Sequence, residues 1–135
     1  MSETIPSKAV ADLLSPYAPE VRNLALSART FVLKTVPGLI EQVDSKARIV
    51  AYSYGPKYAD MVCMIMPTKA GVNLGIAYAM ELRDPKRLLQ GTGKLHRHIK
   101  LKGKADLEPA AVKALLQAAN VAAIARRTKT GEKSR

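Results

Sequence analysis

The sequence predicts an α+β domain in which an antiparallel sheet of four to five strands is backed by an N-terminal and a C-terminal helix. Two long segments, one near each end of the chain, carry apolar residues at the spacing of an amphipathic helix. Between them lie short β-branched or alternating segments, separated by turns that contain glycine or proline. Long helices on both sides of a run of strands are typical of a sheet with one covered face.

The first long helix is predicted at Pro19–Thr35. Proline suits the first helical turn, because that turn leaves its backbone N–H groups without partners in the helix. Apolar side chains recur on one face from Val21 to Val32, and Pro37-Gly38 ends the helix. We expect this apolar face to pack on the sheet.

The segments on either side of this helix have weaker patterns. Residues 1–17 contain a short predicted helix, Lys8–Leu14, which Pro16 ends. We expect these residues to form a weakly ordered N-terminal segment. Leu39–Val43 is predicted to add one helical turn after the first long helix, followed by a loop.

Three short strands are predicted in the middle of the chain. Arg48–Tyr54 is rich in β-branched and aromatic residues and ends at Gly55-Pro56. Asp60–Met66 is a continuous apolar run whose shortness favours a buried strand. Val72–Tyr78 alternates strictly between large apolar residues and small or polar ones. The short connections between these segments favour an antiparallel meander.

The next segment, residues 83–104, carries most of the positive charge. The chain has 22 Lys and Arg against 11 Asp and Glu, a net charge of +11, and this basic stretch alone contributes +7. Residues 125–135 contribute a further +4. This uneven charge distribution favours an anionic partner. The candidates are a small anionic molecule, an acidic protein surface and nucleic acid.

A short helix and a fourth strand are predicted within the basic stretch. Asp84-Pro85 caps and opens the helix, which runs to Gln90 and ends at Gly91-Thr92-Gly93. Lys94–Lys102 then alternates as a strand whose inward face is aliphatic apart from Arg97. Its outward face carries five basic or imidazole side chains, which are Lys94, His96, His98, Lys100 and Lys102.

The last helix is predicted to have Pro109 in its first turn and to end near Arg127. Acidic residues near its N-terminus and two arginines at its C-terminus match the helix dipole. Thr128–Arg135 is polar and basic, and we expect it to be a disordered tail. The chain is therefore predicted to form one domain at residues 18–127.

Six residues are candidates for a ligand-binding site. They are Tyr54, Gly91, Gly93, Lys94, Arg97 and His98. Two close glycines allow backbone N–H groups to converge on an anion, and the three basic residues supply charge. Tyr54 belongs to a tyrosine cluster around Gly55-Pro56 that offers a stacking surface. A helix end followed by a tight turn explains the same glycines without a ligand, because Gly91–Lys94 matches neither a Walker A loop nor a dinucleotide fingerprint.

Arg97 needs a partner if its side chain points inward, because a lone buried guanidinium is costly. That partner is a backbone carbonyl, a bound anion or a carboxylate. The candidate carboxylates are Glu81, Asp60 and Glu41. His96 and His98 have the spacing of a metal-binding pair, but the neighbouring lysines repel a cation, so no metal site is predicted.

No local arrangement is typical of nucleophilic or acid–base catalysis, so we expect a non-enzymatic protein without cofactors. Cys63, the only cysteine, is predicted to be a small core residue. With one cysteine the chain has no internal disulfide, which favours a reducing cytoplasm. No signal peptide and no apolar run long enough for a membrane helix is recognised, so we expect no membrane partner.

The run Ala79–Leu101, preceded by Tyr54-Gly55-Pro56 and followed by the last helix, resembles the YdhG-like domain family of unknown function. Its most specific part reads L-x-D-P-x-x-L-L-x-G-x-G-K-x-x-R-H-I, and the likeness covers about residues 20–124. The family is similar in fold to frataxin-like domains, which implies an antiparallel sheet backed by two terminal helices. The positions that match the motif are Asp84, Pro85, Leu89, Gly91, Gly93, Lys94, Arg97 and His98.

Three functional hypotheses follow. The leading one is a non-enzymatic cytoplasmic domain that binds an anionic ligand or partner through the basic glycine-rich turn and strand. The resemblance implies a second, a frataxin-like intracellular iron chaperone, although iron prefers oxygen ligands and bases here outnumber acids. The third is a nucleic-acid-associated accessory domain. The oligomeric state does not follow from the sequence.

Overall fold

A computed structural model of the protein describes residues 6–93 and 96–133. It confirms the α+β class, with a six-stranded antiparallel sheet and three helices. The helices are α1 (Lys8–Leu14), α2 (Pro19–Thr35) and α3 (Ala110–Lys133). The strands are β1 (Ile40–Asp44), β2 (Ile49–Ser53), β3 (Met61–Pro67), β4 (Val72–Ala77), β5 (Leu89–Gln90) and β6 (His96–Leu101).

The sheet is an antiparallel meander, except that its last two strands are reversed in order. The strand order is β1-β2-β3-β4-β6-β5, so β6 lies between β4 and the two-residue β5, and all neighbours are antiparallel. The predicted strands β2, β3 and β4 are confirmed to within one residue at each end. Across the described part of the chain, no helix is both long and apolar enough to cross a bilayer.

Helices α2 and α3 cover one face of the sheet, in contact with the central strands β3 and β4. Their apolar stripes supply the helix layer of the core with Val21, Ala25, Ala28, Val32, Val112, Leu116, Ala119 and Ala123. The strands supply the facing layer with Val50, Tyr52, Ile65, Leu74, Ile76, Ile99 and Leu101. Removing this apolar surface from water is the main force that holds the helices on the sheet.

The predicted short helix Lys8–Leu14 is confirmed as α1, which packs on the same core as the rest of the chain. Val10 and Leu13 are buried in that core. Arg48 holds the end of α1, because its guanidinium donates to the Leu13 carbonyl at 2.7 Å and lies 5.2 Å from the Tyr17 ring centroid. Part of the segment expected to be weakly ordered is thus anchored to the domain.

The helical turn predicted at Leu39–Val43 is wrong, because these residues enter the edge strand β1. The Asp44 carboxylate accepts the Ala47 N–H at 3.0 Å, which forms the tight turn that leads into β2. β1 then pairs with β2 along its whole length. A partner strand close in sequence therefore decides the conformation of this segment.

The helix predicted from Asp84 to Gln90 is also wrong. The Asp84 carboxylate accepts the N–H groups of Leu88 and Leu89, both at 2.9 Å, so it caps a turn as expected. Arg87, however, adopts a left-handed φ of 52°, which ends the turn before a helix can continue. Leu89 and Gln90 then form β5 beside β6.

Helix α3 continues to Lys133, past Arg127, where the sequence predicted its end. Thr128 Oγ1 donates to the Ile124 carbonyl at 3.1 Å, which fits the helical path. Lysine, arginine and glutamate are good helix formers, so a polar composition does not itself end a helix. Residues 134 and 135 of the predicted tail lie outside the described residues.

A buried ion pair fixes the edge strand β1 to α2. Arg29, on α2, donates from Nε to Glu41 Oε2 at 2.7 Å, and Tyr52 Oη donates to the same oxygen at 2.7 Å. The Arg29 and Glu41 side chains are 6% and 16% exposed. Burial, together with the hydrogen bond to Glu41, raises the pKa of Tyr52 well above its ordinary value. The Glu41 carboxylate therefore accepts three hydrogen bonds in a largely buried site.

Replacing Glu41 tests this network. We expect Glu41→Gln to lower the free energy of unfolding by about 3 kcal/mol, because it removes the negative charge that faces the buried Arg29 guanidinium. Urea denaturation followed by circular dichroism measures the change. The control is Glu20→Gln in the exposed first turn of α2, with an expected loss below about 1 kcal/mol. Equal losses in the two variants would contradict a stabilising role for the network.

Candidate functional site

The two faces of strand β6 carry different side chains. Arg97, Ile99 and Leu101 lie opposite Ile76, Leu74 and Val72 of β4, on the helix-covered face. The outward face carries His96, His98 and Lys100, which lie opposite the uncharged Ala77, Gly75 and Asn73. The predicted division of the fourth strand is therefore confirmed for the residues that the structure describes.

An open cavity of about 570 Å³ lies where β6 meets the glycine-rich turn. We call it the turn cavity. Its lining consists of Tyr58, Gln90, Gly91, Gly93, His96, Arg97 and His98. Four of the six candidate residues predicted from the sequence are thus brought together here. Lys94 lies outside the described residues.

Arg97 reaches the turn cavity although it alternates in direction with His98. Its Nε donates to the Gly93 carbonyl at 3.2 Å, which holds the guanidinium against the turn. Arg97 is the second residue of β6 and lies near the end of the strand, so its side chain is only partly buried. The sheet end thus lets neighbouring side chains of opposite direction line one space.

Backbone geometry requires both glycines of the turn. Gly91 has a φ of 101°, in the region that disfavours residues with a Cβ. A Cβ on Gly93 would lie 2.5 Å from the His96 carbonyl oxygen, well inside van der Waals contact. The predicted tight turn is therefore correct, and its close backbone approach forms one wall of the turn cavity.

The tyrosine at the turn cavity is Tyr58, whereas the sequence favoured Tyr54. Tyr54 is half-buried, and its Oη donates to Asn120 Oδ1 on α3 at 2.5 Å. Tyr58 is 37% exposed, and its Oη lies 3.2 Å from His96 Nδ1. The sequence grouped Tyr58 with Tyr52 and Tyr54 in the cluster around Gly55-Pro56, but only Tyr54 was predicted as a site residue.

Tyr58 packs against Tyr78, which in turn packs against Arg126 of α3. Its ring centroid lies 5.5 Å from that of Tyr78, and the Arg126 guanidinium lies 3.7 Å from the Tyr78 ring centroid. Burial, with a smaller contribution from Tyr78, raises the pKa of Tyr58. The phenol is therefore a neutral hydrogen-bonding group at neutral pH, held in place by α3.

The carboxylates proposed as partners of Arg97 are bound to other arginines. Glu41 pairs with Arg29, Asp60 with Arg127 at 2.8 Å, and Glu81 with Arg126 at 3.7 Å. The predicted carboxylate partner is therefore wrong, and the backbone-carbonyl alternative is correct.

The acids next to the basic stretch are bound to backbone N–H groups. Asp84 accepts from Leu88 and Leu89, and Asp106 accepts from Lys102 at 2.7 Å and Gly103 at 3.1 Å. Of the ion pairs found among residues 6–93 and 96–128, none involves a cation of the basic stretch. The cationic side chains that the structure describes in this stretch are therefore not paired with carboxylates.

A second hollow, of about 470 Å³, continues along β6. We call it the β6 groove. Its lining consists of Thr68, Ala70, Gly71, Val72, Asn73, Gln90, His98, Lys100, Leu101 and Lys102. Gln90 and His98 belong to both hollows, so the β6 groove and the turn cavity adjoin.

Among the described residues, neither a metal-binding cluster nor a reactive thiol lies at these hollows. Within the part of the chain that the structure describes, no three His, Cys, Asp or Glu side chains are grouped to hold a metal ion. Cys63 is fully buried as predicted, and burial raises the pKa of its thiol. It is therefore not a reactive thiolate.

Replacing Gly93 tests the geometry of the turn. We expect Gly93→Ala to lower the free energy of unfolding by about 1–3 kcal/mol, because the new methyl group must displace the His96 backbone. The matched control, Thr92→Ala in the same exposed turn, is expected to change it by less than about 0.5 kcal/mol. Urea denaturation measures both, and a Gly93→Ala variant as stable as the control would show that the close approach is absent.

Comparison with protein-family models, with curated proteins and with solved structures finds no match to this chain. The likeness to YdhG-like and frataxin-like domains thus stays a prediction from the sequence, and the site is interpreted from its own geometry.

Proposed function

We propose that this protein is a non-enzymatic domain that binds an anionic ligand in the turn cavity. The observation that carries the proposal is the convergence of Arg97, His96 and His98 on one open space without a carboxylate partner among the described residues. Uncompensated positive charge in a concave site attracts and concentrates anions. The YdhG-like resemblance and a cytoplasmic location belong to the same proposal.

Arg97 is the residue best suited to hold an anion. A guanidinium has five N–H donors in a planar fork, and the one hydrogen bond found for Arg97 within the described residues uses Nε. The remaining donors match two oxygens of a phosphate or carboxylate group. The bond to Gly93 fixes the fork before a ligand arrives, which reduces the entropy lost on binding.

The other lining groups add hydrogen bonds and selectivity. His96 and His98 offer ring nitrogens, Gln90 offers an amide, and Tyr58 offers a hydroxyl. Lys100 lies on the same outward face of β6 and adds charge beside the cavity. Such a lining favours an anion over a metal cation, and no observation on the described residues favours the iron-chaperone alternative.

The Arg97→Ala variant tests the proposal. We expect its affinity for pyrophosphate, a compact polyvalent anion, to fall by about tenfold, because a charge-assisted hydrogen bond contributes roughly 1.5–3 kcal/mol. Isothermal titration calorimetry at low salt measures the dissociation constants. The control is Lys34→Ala on α2, which removes the same charge from the helix-covered side of the sheet.

The two variants separate site binding from general attraction. We expect Lys34→Ala to bind pyrophosphate within about twofold of the unaltered protein, since screening limits the effect of a distant charge. If Arg97→Ala and Lys34→Ala bind equally well, or the unaltered protein does not bind pyrophosphate at all, the turn cavity is not an anion site.

A further inference from the structure

We infer that the anionic ligand is single-stranded nucleic acid, which follows the outward face of β6 from the turn cavity into the β6 groove. This inference rests on the proposed function, since it places one part of the ligand in the turn cavity. It adds a ligand class and a second contact surface, which includes Lys100 and Lys102.

The two hollows form one continuous track. Gln90 and His98 line both of them, so a ligand that fills the turn cavity can pass directly into the β6 groove. The combined length exceeds that of a single phosphate or pyrophosphate group. A compact anion would use only one end of the track.

The basic groups repeat along this track. His96, His98, Lys100 and Lys102 alternate along the outward side, so neighbouring groups lie about 7 Å apart and the row spans about 20 Å. The outward residues of β4 that lie beside the row are uncharged. A row of regularly spaced basic groups, with uncharged residues of β4 beside it, fits a chain of regularly spaced anionic groups, such as the backbone of a nucleic acid.

Apolar and aromatic groups border the row. Tyr58 is exposed at the turn cavity, and the partly buried Met66, with the buried Met64, lies against Gly75, the β4 residue opposite His98. Single strands combine backbone contacts to cations with stacking of bases on aromatic side chains, and methionine is an adaptable apolar contact. A polyphosphate, which has no apolar or aromatic groups, would make no use of these side chains.

The shape of the surface favours a single strand over a duplex. The track lies in hollows on a sheet face, bordered by the turn at residues 68–71 and by the glycine-rich turn. Reading the edges of paired bases requires a helix or a two-stranded ribbon that enters a groove of the duplex. A sheet face bordered by an exposed aromatic ring, as Tyr58 borders this one, instead accepts unstacked bases.

Fluorescence anisotropy with a labelled oligothymidylate of about 12 nucleotides tests the inference on the full-length chain, since such sites cover roughly 4–16 nucleotides. The Lys100→Ala/Lys102→Ala double variant is compared with Lys34→Ala/Lys113→Ala, which removes the same charge from the helix side. We expect the β6 double variant to bind the oligonucleotide at least roughly tenfold more weakly than the control. Its plot of log affinity against log salt should have a slope smaller by about 1.4, for two lost phosphate contacts.

Tyr58→Ala separates base contacts from charge. We expect roughly fivefold or greater loss of oligothymidylate affinity and an unchanged affinity for polyphosphate of similar charge, because stacking requires a base. All variants retain the basic C-terminal segment 128–135, so a loss of binding cannot come from that segment.

The outcomes distinguish the two proposals. Pyrophosphate binding that depends on Arg97, without oligothymidylate binding, would overturn the nucleic-acid inference and leave the anion site intact. Oligothymidylate binding equally affected by both double variants, equal affinity for polyphosphate, or tighter binding of a duplex would also overturn it. Oligothymidylate binding that depends on Lys100 and Lys102 but not on Arg97 would overturn the proposed role of the turn cavity.

Discussion

The distribution of carboxylates decides where this protein carries free positive charge. Each acid that the sequence offered as a partner for Arg97 pairs with another arginine, on α2 or α3. Asp84, within the basic stretch, and Asp106, just after it, accept hydrogen bonds from backbone N–H groups at two turns. These acids thus stabilise the fold, and none of the ion pairs among the described residues involves Arg97 or Lys100 of β6, whose positive charges face solvent.

The fold places this charge beside concave surfaces. Because β6 lies between β4 and the short β5, the turn that connects β5 to β6 folds back on the strand that carries the histidines. Gly91 and Gly93 allow that return, through a left-handed φ and a close backbone approach. Helix α3 contributes at a distance, since Arg126 stacks on Tyr78, which contacts Tyr58 at the turn cavity. Packing of the last helix is therefore coupled to the shape of the site.

The features that the sequence predicts well depend on local spacing. The stripe of α2, the alternation of β4 and the two faces of β6 are all repeated patterns within one segment. The helices predicted at Leu39–Val43 and Asp84–Gln90 were wrong. Both segments are short, and pairing with another strand decides their conformation.

Which residues line the site depends on contacts between residues that are far apart in the sequence. Tyr58 meets His96 across 38 positions, and Arg126 meets the Ala59 carbonyl across 67. The true partners of Glu81 and Asp60 lie on α3, so no spacing rule within the basic stretch could assign them. The glycine-rich turn was predicted because its glycines, Gly91 and Gly93, lie only two positions apart in the sequence.

An NMR titration of the ¹⁵N-labelled protein with pyrophosphate tests the central claim most directly. If the cations of β6 and the turn form one receptive site, saturable shifts will be concentrated at the backbone amides of Gly91, Gly93 and His96–His98. The Arg97 Nε–H signal will move with the same dissociation constant. Small, unsaturated shifts spread equally over exposed lysines of α2, α3 and β6 would contradict the account, because they would show independent cations in ordinary exchange with solvent ions.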